Sequence, residues 1–291
     1  MRLFVTGATG FIGSNVLAAA LNAGHEVVAL RRSLKSLPVV QMPSQPVWYE
    51  GDLSIVNSTW LKGVDAVLHL ASAGVSPKKV SWQELVQVNV VASLNFLELA
   101  SIAGVRRCVV AGTSHEYGNA SKRYKFIPPD APLEPLSSYA ASKVASFQLI
   151  RTLAIERRFE LCYARIFSAY GDGQFTGNFW PSLRRAALCG EDFAMTSGRQ
   201  ITDFIPVKEV AKHLLEACMR DDISAGVPLV LNIGSGEHKS LLSFAQAEWD
   251  RHGATGNLLP GVLPDRADLV ERCVPELNGL HIQPVSAMKI G

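Results

Sequence analysis

Leu3-Phe4-Val5-Thr6-Gly7-Ala8-Thr9-Gly10-Phe11-Ile12-Gly13, near the start of the chain, decides the fold. Its first four residues form the pattern of a short apolar strand, and helix formers follow over residues 12–23. Glycines between a strand and a helix permit a tight turn, the approach of a diphosphate and close packing of helix on strand. The free N–H groups of the helix then favour bound phosphate. The spacing Gly-x-x-Gly-x-x-Gly also fits an ordinary glycine-rich turn, but its position directly after the first strand favours dinucleotide binding.

Strands and helices alternate through the first half of the chain. Strands are predicted at residues 3–6, 26–30, 47–49, 66–71, 107–111 and 160–166, and helices at residues 12–23, 82–103 and 138–157. Continuous apolar strands that alternate with helices predict an α/β fold with a doubly wound parallel sheet of the Rossmann type. We expect an NADP-binding domain over residues 1–167 and a smaller, interleaved substrate-binding part over residues 168–291. A segment around residues 201–233 is expected to return to the sheet.

The composition excludes several classes of protein. The 291 residues are 48% hydrophobic and 19% charged, with a formal net charge of +2, which indicates a globular protein with a sizeable core. The sequence has no basic stripe that would indicate nucleic acid as a partner. No apolar run reaches the roughly 20 residues of a membrane helix. The cysteines are scattered, which argues against disulfides and a zinc site and, without a signal-peptide pattern, predicts a cytoplasmic protein. They are Cys108, Cys162, Cys189, Cys218 and Cys273.

The end of the second strand bears on the choice of cofactor. An acidic residue there would bind the ribose 2′-hydroxyl of NAD, but this chain has Leu30-Arg31-Arg32-Ser33. Two guanidinium groups suit a 2′-phosphate and therefore favour NADP(H), the alternative being two solvated surface arginines.

A tyrosine and a lysine share one face of the helix predicted at residues 138–157. In Tyr139-Ala140-Ala141-Ser142-Lys143 they are four residues apart, so a lysine ammonium could lower the pKa of the phenol and make it a usable acid or base. Thr113 follows the fifth strand, at the sheet edge where ligands of open α/β sheets bind. The alternatives are a solvated helix face for the pair and a turn residue for Thr113.

These residues together resemble the extended short-chain dehydrogenase/reductases, the NAD-dependent epimerase/dehydratase family. The segments that carry the resemblance occur in family order, and they are Gly7 to Gly13, Gly51-Asp52-Leu53, His69-Leu70-Ala71, Asn89-Val90, Thr113 with Tyr117-Gly118, Tyr139 with Lys143, and Asp203-Phe204-Ile205. The resemblance implies that Tyr139 is the proton donor or acceptor, Thr113 its hydroxyl partner and Lys143 the ribose anchor.

The resemblance also implies two sets of binding residues. The cofactor set is Gly7, Thr9, Gly10, Phe11, Ile12, Gly13, Arg31, Arg32, Asp52, Leu53, Leu70, Ala71, Asn89, Tyr139, Lys143 and Ile166. The substrate set is Thr113, Ser114, His115, Asn178, Arg199 and Arg266. In the sugar-nucleotide branch an arginine often precedes the Asp203 position, where this chain has Thr202, so Arg199 is a candidate substitute.

Three reactions share this scaffold, and the sequence favours one of them. The branch's dehydratases usually carry Glu two residues after the threonine, where this chain has His115, and its 4-epimerases usually carry an acidic residue after the second strand. The pattern most resembles NADPH-dependent reductases of nucleotide-linked 4-keto-6-deoxyhexoses, of the CDP-abequose synthase type that serves deoxysugar and lipopolysaccharide biosynthesis. A 4-epimerase of a UDP-sugar, a 4,6-dehydratase and a non-catalytic NADP-binding sensor or scaffold remain alternatives. Resemblance also predicts a homodimer through the helices at residues 82–103 and 138–157.

Overall fold

The structure is a computed structural model that describes residues 1–75, 79–265 and 270–277. Its strands are β1 (Arg2–Thr6), β2 (Glu26–Arg31), β3 (Val47–Glu50), β4 (Ala66–His69), β5 (Arg107–Thr113), β6 (Glu160–Ile166), β7 (Ser168–Tyr170), β8 (Phe193–Met195), β9 (Ile201–Pro206), β10 (Leu229–Ile233), β11 (His238–Ser240), β12 (Leu258–Pro260) and β13 (Arg272–Cys273). Its α-helices are α1 (Phe11–Asn22), α2 (Trp82–Leu85), α3 (Ser93–Ile102), α4 (Ser138–Arg157), α5 (Phe179–Cys189), α6 (Val207–Met219) and α7 (Leu241–Arg251).

A seven-stranded parallel sheet in the order β10-β6-β5-β4-β1-β2-β3 confirms the predicted fold class. The chain winds outward from β1 to β3 and then from β4 in the opposite direction. The reversal of direction between β1 and β4 opens a crevice at the carboxyl edge, which is where open α/β sheets bind ligands. The glycine turn, Thr113 and Ile166 all follow or end strands at this edge.

Both faces of this sheet are buried because neighbouring residues of each strand point to opposite helix layers. In β1, Leu3 and Val5 pack with residues of α1 and α6, whereas Phe4 packs with Phe96 of α3 and Phe147 of α4. Full burial of a side chain of this size stabilises the fold by about 1.5–3 kcal/mol. The strands are therefore held rigidly, and so are the loops at their carboxyl ends.

The helix predicted at residues 82–103 contains a π-helical segment, Val86–Ala92, between α2 and α3. The Ser93 hydroxyl donates to the Val88 carbonyl at 3.0 Å, and the widened turn includes the buried Asn89. Among the described residues, Trp82–Ile102 is the one helical run long and apolar enough to cross a membrane. Its α3 part contributes Phe96 to the core under the sheet, as expected for a layer helix of an α/β protein.

The second half of the chain contributes a smaller unit and the last strand of the main sheet. Strand β9 pairs with β7, β11 and β13, and β8 pairs with β12. Helices α5 and α7 enclose a separate apolar cluster around Leu183, Met195 and Trp249. Between residues 201 and 233, β9 thus belongs to the small sheet and β10 to the large one, while the division at residue 167 stays a prediction.

Candidate active site

The turn after β1 is a backbone cradle that tolerates no side chain at two of its glycines. Gly7 has φ +66°, and a Cβ there would lie 2.6 Å from the backbone of Leu70 and Ala71. A Cβ on Gly13 would overlap the Gly7 carbonyl oxygen. Helix α1 begins at Phe11 without a side-chain cap, so its first N–H groups are available to an anion. The cradle therefore fits the diphosphate of a dinucleotide.

The end of β4 is fixed against this turn by a buried threonine. Thr6 Oγ1 lies 2.8 Å from His69 Nδ1 and accepts from the backbone N–H groups of Leu70 and Ala71 at 3.2 and 3.3 Å. Burial, reinforced by the Lys143 charge, lowers the pKa of His69 to about 3. A neutral His69 thus acts as a structural link between the cradle and the centre of the site.

The two arginines at the end of β2 differ in their surroundings. Arg31 Nη2 donates to Glu50 Oε1 at 2.9 Å, and its guanidinium lies 5.0 Å from the centre of the Trp48 ring. Arg32 is exposed and has no ion pair or hydrogen bond within the described residues. The contact of these arginines with a ribose 2′-phosphate stays a prediction, and of the two only Arg32 has no partner among the described residues.

Asp52, predicted to contact adenine, stabilises a turn. Its Oδ1 accepts from the Ser54 backbone N–H at 2.8 Å and also from the Ser54 hydroxyl, which lowers the pKa of the carboxyl. Leu53 is buried beside it. The adenine contact stays a prediction, and the observed partners show that the carboxylate is already hydrogen-bonded.

Thr113, Tyr139 and Lys143 come together at the carboxyl edge of the sheet, as the resemblance implied. The Tyr139 phenol lies beside the side chains of Thr113 and Ser72, both of which act to lower its pKa. Lys143 Nζ donates to the Ala111 carbonyl at 2.8 Å, and the lysine is 4% exposed. Two hydroxyl groups thus meet the phenol, while the ammonium is held one turn further along α4.

The phenol is more weakly acidic than a free tyrosine. Burial raises the pKa of Tyr139 to about 12, and the Glu116 carboxylate adds to the rise. Burial also lowers the pKa of Lys143, which the same carboxylate opposes. The expectation that Lys143 lowers the pKa of the phenol is therefore wrong for this structure, because desolvation dominates and the nearby charge that acts is negative. At neutral pH the Tyr139 hydroxyl carries its proton.

Asn89 connects the loop after β4 to α4. Its Oδ1 accepts from the Ala73 N–H at 2.7 Å and from the Ser72 hydroxyl at 3.1 Å, and its Nδ2 donates to the Ser142 hydroxyl at 2.9 Å. Ser142 in turn donates to the Tyr139 carbonyl at 2.7 Å. Asn89, predicted to lie along the cofactor, thus also determines where Ser72 meets the phenol.

The turn after Thr113 separates three polar side chains. Ser114 is buried and lies beside Cys273. His115 is exposed, and its ring meets the Tyr139 ring edge-on with centroids 6.5 Å apart. Glu116 is fully buried and pairs with Arg165 at 2.7 Å. Of the three, only His115 is presented at the surface beside Tyr139.

The remaining predicted contacts lie on separate elements. Ile166 is buried at the end of β6. Asn178 is the residue before α5, and its side chain makes no capping hydrogen bond. The Arg199 side chain is 83% exposed, and its Nη2 lies 3.5 Å from Asp265 Oδ2. Arg266 lies outside the described residues. The substrate roles of these residues stay predictions.

Sequence reasoning missed Ser72 and Glu50. The position of Ser72, directly after His69-Leu70-Ala71 at the end of a strand, was the available signal. Glu50 ends β3 directly opposite Arg31, a pairing that depends on the register of two parallel strands and that no local pattern reveals.

The sheet and the glycine cradle together define a dinucleotide-binding scaffold of the Rossmann type, and comparisons with known proteins agree. The sequence model of the NAD dependent epimerase/dehydratase family matches residues 3–234. The chain therefore belongs to the NAD dependent epimerase/dehydratase family.

Relatives of this chain modify nucleotide sugars. It is 27% identical to dTDP-6-deoxy-L-talose 4-dehydrogenase (NAD(+)) of Aggregatibacter actinomycetemcomitans, over 83% of this chain and 87% of the relative. It is 27% identical to UDP-glucose 4-epimerase of Neisseria meningitidis serogroup B, over 91% and 86% respectively. The solved structure of MoeE5 in complex with UDP-glucose and NAD is similar, with a TM-score of 0.81, 30% identity, and coverage of 96% of this chain and 91% of MoeE5.

Proposed function

We propose that this protein reduces the C4 keto group of a nucleotide-linked 4-keto-6-deoxyhexose with NADPH. The observation that carries the proposal is the meeting of Tyr139 with the side chains of Thr113 and Ser72, one helical turn from the buried Lys143, while desolvation raises the pKa of the phenol and so keeps its proton at neutral pH. A protonated acid beside two hydroxyl groups suits the reduction of a ketone, in which the forming alkoxide takes up a proton. The nucleotide sugar is proposed from the relatives, whose names refer to dTDP- and UDP-sugars.

The cofactor assignment rests on the cradle and on Arg32. The N–H groups at the start of α1 would hold the diphosphate, Lys143 the nicotinamide ribose and Arg32 the 2′-phosphate. Bound NADPH supplies the hydride. Glu50 forms an ion pair with Arg31 and offsets its charge. The guanidinium of Arg32 is therefore the group on which the proposed preference for NADP(H) over NAD(H) rests.

The chain's own groups supply the proton and the orientation of the substrate. Thr113 Oγ1 and Ser72 Oγ fix the phenol and can hydrogen-bond the C4 oxygen. Tyr139 then donates its proton to that oxygen as the negative charge develops. Such general acid catalysis contributes typically about 10²–10⁴ to the rate.

A 4-epimerase is the second candidate, because relatives of 27% identity are UDP-glucose 4-epimerases. That reaction would need Tyr139 first as a base and a nicotinamide cofactor that stays bound. A 4,6-dehydratase has less support, because Glu116 is buried against Arg165 and His115 takes the position of the extra acid–base residue. A non-catalytic NADP-binding sensor would not need the assembled set of Thr113, Tyr139 and Lys143.

We also propose that the protein is a cytoplasmic homodimer. Exposed apolar side chains stand on the two helices that the resemblance assigns to an interface, and they are Val86, Val91, Leu149 and Ile155. A second copy that covers them would form a four-helix contact by the packing of α4 and the helix Trp82–Ile102 on their equivalents.

The test is NADPH oxidation, followed by absorbance, with CDP-, dTDP-, GDP- and UDP-linked 4-keto-6-deoxyhexoses. Consumption with one of them, lost in Tyr139→Phe while NADPH still binds, supports the reductase. Unchanged turnover in Tyr139→Phe would overturn the proposed mechanism. No consumption with any sugar, together with NAD(H) released on denaturation and interconversion of UDP-sugars without added cofactor, would establish the epimerase instead.

A further inference from the structure

Glu116 lies beneath the candidate active site in a fully buried position. It ends the 3-10 turn Ser114–Glu116 that follows β5. Its Oε1 accepts from the Thr113 backbone N–H at 2.9 Å and from the Tyr163 hydroxyl at 2.9 Å, and its Oε2 accepts from Arg165 Nε at 2.7 Å. One carboxylate therefore holds the turn that presents Thr113 and fixes two side chains of β6.

Arg165 is fully enclosed as the partner of this carboxylate. Its Nη1 donates to the Pro129 carbonyl at 2.7 Å and to the Tyr117 hydroxyl at 3.2 Å. Its guanidinium carbon lies 4.6 Å from the ring centre of Phe147 on α4 and 5.6 Å from that of Tyr163. The cation is thus compensated by rings and oxygens, and it cannot turn toward the cleft without losing all of them.

Strand β5 leaves no room for the Glu116–Arg165 ion pair to move. A Cβ on Gly112 would overlap the Tyr163 ring and lie 2.9 Å from Glu116 Oε1. Gly112 pairs with Arg165 in the sheet register, so the strand that ends in Thr113 runs beside the ion pair. Movement of the carboxylate would therefore displace Thr113.

The carboxylate also acts on the acid–base groups through its charge. It raises the pKa of Tyr139 and opposes the burial that lowers the pKa of Lys143. Among the residues that the structure describes, the titratable groups around the phenol include Lys143 on its own helix, His115 on the turn, and Tyr163 and Arg165 on β6 behind Glu116. The Glu116 carboxylate therefore acts on both the phenol and the ammonium.

We propose that Glu116 is a positioning residue of the reaction, which fixes Thr113 for the substrate oxygen and places a negative charge under Tyr139 and Lys143. The inference rests on the proposed function, since it concerns the proton that Tyr139 gives to the substrate. In this arrangement the phenol keeps the proton that the reduction needs, and the carboxylate opposes the effect of burial on the pKa of Lys143.

The variant Glu116→Gln tests the charge because it keeps an oxygen for Thr113. Glu160→Gln is a matched control, since Glu160 is 1% exposed and accepts from Arg107 Nε at 2.7 Å on the same two strands, at the opposite edge of the sheet. With the negative charge gone, we expect the alkaline limb of the pH profile of kcat to move to lower pH by about one unit. The limb of Glu160→Gln should stay where it is in the wild type, even if both variants lower Tm.

Two further measurements keep the outcome decisive. If Glu116→Gln does not fold, Glu116→Gln/Arg165→Met removes the whole pair, a change that buried ion pairs often tolerate, and the same shift is expected. If the wild type reduces none of the sugars, the ionisation of Tyr139 is followed by NMR of ¹³C-labelled tyrosine, with Tyr139→Phe to assign the resonance. Ionisation at lower pH in Glu116→Gln than in the wild type supports the proposal independently of the reductase assignment. An unmoved alkaline limb in an active enzyme, or identical tyrosine titrations, would overturn it.

Discussion

Arg31 and Glu50 stand directly opposite each other at the ends of β2 and β3, with Arg31 Nη2 at 2.9 Å from Glu50 Oε1. The register of β2 and β3 thus places a carboxylate against Arg31, which is one of the two arginines from which a preference for NADP(H) was predicted. Arg32, next along the chain, is exposed and has no partner within the described residues.

Removal of the unpaired cation should weaken NADPH more than NADH. A hydrogen bond to a charged group is worth about 1.5–3 kcal/mol, so Arg32→Ala should raise KM for NADPH by roughly 10- to 150-fold. KM for NADH should change little, because NADH has no 2′-phosphate. Steady-state kinetics with both cofactors measure this, and equal losses for the two would show that Arg32 does not read the phosphate.

Removal of the Glu50 carboxylate should strengthen the binding of NADPH. Glu50→Gln leaves Arg31 without its anionic partner and takes a negative charge from the position of the 2′-phosphate, so KM for NADPH should fall severalfold. Glu26→Gln, an exposed carboxylate paired with Arg2 at the other end of β2, is the control and should leave KM unchanged. A rise in KM for NADPH in Glu50→Gln would mean that the pair holds Arg31 in a useful position.

The pH dependence follows from the raised pKa of Tyr139. Reduction needs the protonated phenol, which persists until the pH rises toward the pKa of about 12, so kcat for reduction should be flat from about pH 6 to pH 9. The reverse oxidation needs the phenolate, whose fraction grows about tenfold per pH unit below the pKa, and its rate should rise accordingly. Rates of reduction and of oxidation, measured with one sugar over this pH range, test the prediction. A reduction rate that falls as the pH rises through neutrality would contradict it.

The parts of the fold that the sequence predicted are those determined by local pattern. The glycine turn, the six strands of the first half and the helix Ser138–Arg157 each follow from short-range alternation of apolar, glycine and polar residues. The π-helical segment at Val86–Ala92 was not predictable, because it depends on Ser93 and Asn89 meeting partners on β4 and on the loop after it.

The same distinction applies to the site. Thr113, Tyr139 and Lys143 could be named from spacing and resemblance, since each lies on a strand end or one helix face. The charge around them could not, because Glu116 meets Arg165 across β5 and β6, at a sequence separation of 49 residues. From the spacing of Tyr139 and Lys143 we predicted a lowered pKa for the phenol, whereas its pKa is raised, because desolvation of the phenol depends on the three-dimensional structure.

Ser72 should contribute measurably to turnover. Ser72→Ala removes one of the two hydroxyl groups beside the phenol and one donor to Asn89, so kcat should fall by roughly 2- to 12-fold, the worth of a neutral hydrogen bond of about 0.5–1.5 kcal/mol. Ser243→Ala on α7 of the other unit is the control, because within the described part of the chain this hydroxyl is hydrogen-bonded to Ser240 and lies far from Tyr139 in the fold. Unchanged kcat in Ser72→Ala would mean that Ser72 does not help to align the phenol and that Thr113 alone does so.

The proposed dimer can be broken on one helix face without touching the site. Leu149 is 45% exposed on α4, and a carboxylate there would be buried without a partner when a second copy packs against it. Leu149→Glu should therefore sediment as a monomer, whereas Leu188→Glu, which charges a 62% exposed leucine on α5, should keep the assembly of the wild type. Analytical ultracentrifugation of the three proteins at matched concentration decides between them. Since neither substitution is in the core, all three should unfold at similar Tm after allowance for the free energy of association. A Leu149→Glu protein with the same mass in solution as a dimeric wild type would place the interface on another surface.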